Sequence, residues 1–357
     1  MDIEPQTQRC YPKFLGLVLA LFVPGLTHFL TGKRKRGILL LALTFLIPII
    51  GMQIAILPAK TAIGLGLVIT ALLTPALSLY ILITSWRPIA HMPARHWAAV
   101  VGSIVLLSMF KGTLNMALPV MNYKIPTGAM QPTLMGVHTI DELEDTSFLD
   151  HLLYGRYAET FRAAASGPLT EPRVEDRHFT FSIGETRHSI PAYAMPNLPK
   201  SHYNEGDVIW SGTAIMSDYI LADRLAYFAH EPQRGDIVIF NTGGLDFPGV
   251  QTNTVYVKRI AGLPGETLSI QEGRLTVNGT AVDAPEIFQT LEYENAGRLS
   301  DARQTIVLGE DEYLTLGDNT APNMSLDGRF YGPISRRSII AKVKTVYWPF
   351  DRIRVIE

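Results

Sequence analysis

A single cysteine, Cys10, stands in the whole chain, so no internal disulfide can form and no multi-thiolate zinc site is available. Acidic side chains are missing from residues 14–118, where Leu, Ile, Val and Ala dominate. A charge of one overall sign is missing too. The formal net charge is -2 and the basic residues beyond position 120 are scattered, which leaves no footprint for nucleic acid. No nucleotide-binding motif occurs: Gly262, Pro264 and Gly265 read as a turn, not a phosphate loop, so no cofactor is implied. His138, His151, His178, His188, His202 and His230 lie apart without ligand spacing, so no metal is expected. A convincing small-residue processing site is also absent after the first apolar segment, which argues against a cleaved leader.

What is present divides the 357 residues unevenly. Residues 1–122 read as a helical membrane anchor and 123–357 as a soluble-type domain with an insert at about 135–216. Backbone amides in hydrocarbon need internal partners, so runs of roughly 20 apolar residues read as helices. Four such runs lie at about 14–31, 37–57, 61–84 and 97–118. Pro24, Gly25 and His28 interrupt the first, which is either a span or a re-entrant hairpin. Lys33, Arg34, Lys35 and Arg36 fall in one short loop and Arg87 and Arg95 in another, while the connector between the second and third runs carries only Lys60. The positive-inside rule puts both basic loops in the cytoplasm and everything after about residue 119 outside. Lys111 is expected to snorkel to the outer interface. The spans lack paired acidic residues and matched broken helices, which disfavours a transporter.

Beyond residue 200 the pattern alternates and is rich in β-branched residues: "GDIVIF", "NTVYVKRI", "TLSIQEGRLTVNG", "DEYLTLGDN" and "SIIAKVKTVYWPF". Short strands with "EG" and "NG" turns predict an antiparallel β domain. Residues 141–166 read instead as one or two amphipathic helical segments, and 167–216 as polar chain with no assigned element. In "TVYVKRI", alternation puts Tyr256, Lys258 and Ile260 on one face. An inward lysine with apolar neighbours is suited to losing its proton; the plainer reading is an edge-strand lysine that limits aggregation.

Four blocks in order carry a resemblance: "IPTGAMQPTL" (125–134), "SDYILADRLAYFAHEPQRGDIVIF" (217–240), "YVKRIAGLPGE" (256–266) and "GDNTAPNMSLDGRFYGPI" (317–334). Together they resemble the type I signal peptidases, membrane-anchored Ser/Lys serine endopeptidases that remove leader peptides from exported proteins. The tail "VYWPFDRIRVI" is similar as well. The resemblance implies an α-helical anchor, here of about four spans, followed by a mainly antiparallel β catalytic domain of signal-peptidase type. It implies a multi-pass protein of the bacterial inner membrane with its C-terminal domain extracytoplasmic. Its partners would be leader peptides cut after small residues of the Ala-x-Ala type, and the bilayer.

The family's pattern assigns Lys258 as general base, Ser325 as the hydroxyl that positions its amine, and Asp327 with Arg329 as a bracing ion pair. Asp318 and Asn319 are expected to make turn hydrogen bonds. Thr127 matches the position whose hydroxyl, with the amide of residue 129, forms the oxyanion hole. Pro126 and Pro132 stiffen the first block, and Gly128 permits close backbone approach. Gly128, Met130 and Pro132 are candidates to line the peptide site, with Met130, Pro132 and Leu134 available for packing or for lipid. Two departures stand out: Gly328 replaces a serine, and Ala129 stands where the nucleophilic serine belongs. An introduced knock-out, a natural noncatalytic member and a chain using Thr127 as nucleophile all remain open. No noncatalytic reading removes the peptide groove, so a membrane-bound leader binder is the alternative to a protease.

Overall fold

The computed structural model describes residues 10–90, 97–98, 100–102, 104–105, 119–175, 178–192 and 200–356. The chain forms two compact units, Met1–Met121 and Asn122–Glu357.

In the first unit, two helices among the described residues are long and apolar enough to cross a membrane, Arg34–Ala55 and Thr61–Thr84. Four spans were expected, and the first run differs for a clear reason. Its helix, Lys13–Phe22, has 10 residues and breaks at Pro24-Gly25 before a short helix Leu26–Leu30. Ten residues rise about 15 Å, half of a hydrocarbon core. Gly25 has φ of 86°, and a Cβ there would lie 2.2 Å from the Gly37 carbonyl oxygen, so the break requires glycine twice over. Most of the fourth run, including Lys111, lies outside the described residues. The basic run also differs from expectation: Arg34, Lys35 and Arg36 open the helix instead of forming a loop. Cations at a helix N-terminus oppose its dipole, and aromatic rings partly offset this. Arg34 lies 5.7 Å over Phe29 and Arg36 5.6 Å over Tyr80. In the third run a wider turn at Ile69–Leu73 precedes Pro75, which has no amide to donate to Ala71.

The second unit is built on an eight-stranded sheet. Its strands are β1 (Val120–Lys124), β2 (Tyr219–Asp223), β3 (Ile237–Asn241) and β4 (Val255–Gly262). They continue with β5 (Glu312–Leu316), β6 (Ile334–Ser335), β7 (Ile339–Trp348) and β8 (Arg354–Val355). The order is β6-β5-β4-β3-β7-β2-β1, with β8 on β7. The pairings of β2 through β8 are antiparallel. Both faces are covered, which explains the unbroken "IVIF" of β3. Ile237 and Ile239 join Ile125, Met130, Leu134 and Val343 on one side, while Val238 and Phe240 join Ile260, Tyr313 and Tyr331 on the other. The predicted "EG" hairpin forms between Thr267–Gln271 and Arg274–Val277, with Glu272 and Gly273 at φ of 49° and 77°.

The insert departs from expectation. Residues 141–166 contain only one short helical turn, over 148–154, and then the strand Arg156–Arg162, which pairs with Val208–Ile215. Gly155, at φ of 61°, stops the turn where a Cβ would meet the Trp348 ring at 2.3 Å. Ala, Glu and Arg favour a helix in "RYAETFR", but cross-strand pairing overrides that weak preference. Residues 167–191, left without elements in the sequence, form a meander of Gly167–Glu175, His178–Ile183 and Thr186–Pro191. Phe179, Phe181 and Ile183 bury one face against Ile190, Tyr203 and Trp210. The alternation of "HFTFSI" carried that signal.

Candidate active site

Lys258 lies mid-strand on β4, opposite Val238, with 5% of its surface exposed. It shares a face with Tyr256 and Ile260, and its amine is 5.9 Å from the Tyr256 ring centroid. Burial pushes its pKa down from the ordinary 10.5 to about 8. Asp327 and then Asp318 resist the shift, and Arg329 adds to it. A shift of that size corresponds to about 3 kcal/mol against the charged form.

The two carboxylates are themselves neutralised. Asp327, fully buried, caps the short helix Gly328–Tyr331 and takes Arg329 in a two-point ion pair at 3.0 and 2.9 Å. Asp318 takes Arg259 the same way, at 2.8 and 2.7 Å. The expected ion pair of Asp327 with Arg329 is thus a buried one, and Asp318 makes an ion pair where turn bonds were expected. Arg259 is the functional neighbour that sequence reasoning missed. Its signal was a second cation, adjacent to Lys258, in a strand whose other residues are apolar; on the opposite face it too needs a buried acid.

The corner at 127–130 is assembled on the loop after β5. Thr127 is extended, with φ of -134° and ψ of 164°, and exposed; Gly128–Met130 then make one tight 3₁₀ turn. The Asn319 side-chain amide donates to the Gly128 carbonyl at 2.8 Å, and its backbone N–H to the Ala129 carbonyl at 3.1 Å. Gly317 is the contact point. A Cβ there would lie 2.0 Å from Ser325 Oγ and 2.6 Å from the Ala129 oxygen. The Gly317 N–H in turn donates to Asp327 at 3.1 Å. Ser325 is 2% exposed, and its hydroxyl has no hydrogen-bond partner among the described residues, so the expected bond to the Lys258 amine is not made in this structure. A buried hydroxyl without a partner is costly and is poised to accept one.

The structure thus brings Ala129, Gly128, Asp318, Ser325, Asp327 and Arg329 around Gly317, with Lys258 in the field of the same carboxylates. One expected residue lies elsewhere. Met130, at 2% exposure, is buried in the core with Ile125 and Leu134, so neither its side chain nor that of Leu134 faces peptide or lipid. Pro132 is exposed, after a cis Gln131-Pro132 bond. A buried amine with its pKa lowered to about 8 and a tight small-residue turn can accept a proton and hold a carbonyl. The turn itself presents a methyl group, not a nucleophile.

Known proteins match this region. The family model for signal peptidase, peptidase S26, covers residues 210–348, which include Lys258, Ser325, Asp327 and Arg329 but not the corner. Signal peptidase I of Leptolyngbya laminosa is 31% identical over 142 residues, covering 40% of this chain and 65% of that relative. Signal peptidase IB of Staphylococcus aureus (strain COL) is 31% identical over 134 residues, covering 33% of this chain and 69% of the relative. A crystal structure of a signal peptidase I from Enterococcus faecalis is similar over 31% of this chain and 96% of that one, at 23% identity and a TM-score of 0.24.

Proposed function

This chain belongs to the signal peptidase I family, and on that premise we propose that its β unit is a leader-peptidase site of the Ser/Lys type. Lys258 is the general base, Ser325 supplies the unengaged hydroxyl that would hold its amine once a peptide is bound, and Ala129 occupies the place of the nucleophile. The observation that carries this reading is Lys258 itself, buried mid-strand with its pKa lowered to about 8 in the field of Asp327 and Asp318. With serine at 129, the hydroxyl would pass its proton to the neutral Lys258 amine as its oxygen attacks the scissile carbonyl. The Thr127 hydroxyl and the amide of residue 129 would hold the oxyanion. Breakdown would expel the new N-terminal amine of the mature protein with that proton, and Lys258 would then draw a proton from the water that attacks the acyl-enzyme and frees the leader with a new carboxylate. The substrates are leader peptides of exported preproteins with small residues before the cut. Arg34–Ala55 and Thr61–Thr84 anchor the chain in a bacterial inner membrane, with the β unit extracytoplasmic.

A second reading is favoured by one residue. Ala129 sits in a fully assembled corner, so the unmodified chain binds leaders without cutting them. The test is cleavage of a leader-bearing substrate by the detergent-purified protein. Ala129→Ser is expected to cut after a small residue, and adding Lys258→Ala is expected to lower the rate by about 10³-fold or more. A silent Ala129→Ser that still binds leader establishes the binder. Cleavage by the unmodified chain that Thr127→Val stops would make Thr127 the nucleophile. For topology, Thr290→Cys in a Cys10→Ser background is expected to label from outside intact cells; labelling only after lysis reverses the orientation.

A further inference from the structure

The segment 125–135, which carries the corner, begins and ends on one residue. The Ile125 N–H donates to the Asp218 carbonyl at 2.9 Å, and the Asp218 N–H donates to the Met135 carbonyl, also at 2.9 Å. The Asp218 carboxylate then accepts from the Met135 N–H at 2.9 Å. Asp218 has no exposed surface, so its charge requires cations, and the C-terminal residues supply them. Arg352 donates to it twice, at 2.7 and 3.0 Å, and Arg354 lies 3.5 Å away. Arg354 also donates to the Thr133 carbonyl, inside the segment. The strap is fastened beyond these arginines. β8 pairs with β7, and the Ile356 side chain packs against Ile125, Met130 and Leu134.

Nothing in the chemistry of proton transfer needs this assembly, since Asp218 takes no part among the groups around Lys258. Its partners are instead the two ends of the corner segment. We infer that Asp218, clamped by Arg352 and Arg354, is a positioning residue that fixes segment 125–135 and so sets where residue 129 meets the Lys258 side of the site. The inference rests on the leader-peptidase reading, and it makes the C-terminal strap part of the site's framework. A displacement of about 1 Å in a reacting group can lower a rate about 100-fold, so such a clamp acts on kcat.

The experiment uses the full chain in detergent and two readouts. Amide hydrogen exchange in Asp218→Asn is expected to speed up at least about tenfold across 127–134, with β3 amides unchanged. In the Ala129→Ser background, Asp218→Asn is expected to lower kcat about tenfold or more with KM changed less than about threefold. Pairing Asp218→Asn with Arg352→Gln removes one buried unpaired cation and is expected to restore part of both losses. Should Asp218→Asn not fold, Arg354→Gln, on the rim, is expected to give the same loop-selective change at smaller size. Unchanged exchange at 127–134, or equal acceleration throughout the β unit, overturns the inference. If Ala129→Ser itself is silent, the leader-peptidase reading fails, and the exchange readout still decides the clamp.

Discussion

The two units of this chain are inside-out versions of each other. The helices Arg34–Ala55 and Thr61–Thr84 bury only 17% and 11% of their most apolar stretches, and leave Ile38, Leu39, Leu72 and Ile83 more than half exposed. The β unit buries Asp218, Lys258, Arg259, Asp318, Asp327 and Arg329 to 5% exposure or less. Apolar residues on the outside require an apolar surrounding. Charges on the inside require each other: in the β unit four of the six are matched as two acid–arginine pairs, and Asp218 is met by Arg352 and Arg354. The sixth, Lys258, has no carboxylate in an ion pair among the described residues, so burial lowers its pKa to about 8. The difference teaches that a buried charge left over from pairing marks the chemistry.

The sharpest way to break that contrast is to unpair a second charge. Arg329→Ala leaves Asp327 buried alone and is expected to cost about 3–5 kcal/mol in chemical denaturation of the β unit. Arg303→Ala, whose partner Asp301 is on the surface, is expected to cause no measurable change. Equal effects would show that burial does not set the value of these pairs.

The lysine itself gives a pH signature. Its folded pKa of about 8 lies below the unfolded 10.5, so between those values the unfolded state holds more protons. Stability is therefore expected to rise with pH through that window by about 3 kcal/mol relative to Lys258→Met, whose slope lacks this contribution. Below pH 8 the full penalty is present. In Ala129→Ser, cleavage is expected to rise through the same pH 8 as the amine becomes neutral; a flat profile from pH 7 to 9 would remove Lys258 as the base.

Smaller effects test the corner and the helices. Gly317→Ala drives a methyl into Ser325 Oγ and the Ala129 carbonyl and is expected to cost about 1–3 kcal/mol, read by thermal melting. On the exposed helical faces, Leu39→Ala is expected to change stability in detergent by less than about 0.5 kcal/mol. In the β core, Leu134→Ala should cost about 2–5 kcal/mol by the same measurement. A large loss at Leu39 would mean that this face packs against protein.

Much of the site was legible because its residues sit in short blocks whose spacing is itself informative. Lys258 was marked by alternation in "TVYVKRI", and Ser325, Asp327 and Arg329 by their run. Arg259 and Asp318 were not paired in advance because 59 positions separate them, and nothing local in a strand arginine names its partner. Met130 stood between packing and the peptide site because a tight turn can send a side chain either way, and the sheet core beneath it decided for packing. The strand Arg156–Arg162 was misjudged because its composition favours a helix, while its pairing with Val208–Ile215 supplies hydrogen bonds that composition cannot report.

By itself the sequence determined where apolar runs, β alternation and the ordered blocks fall, since periodicity and local spacing follow directly from residue order. Only the tertiary structure decided which charges neutralise one another, that Ser325 is left without a partner, and that both ends of segment 125–135 close on Asp218. These depend on which residues far apart in the chain become neighbours in a dry interior, where an unpaired polar group is expensive enough to matter.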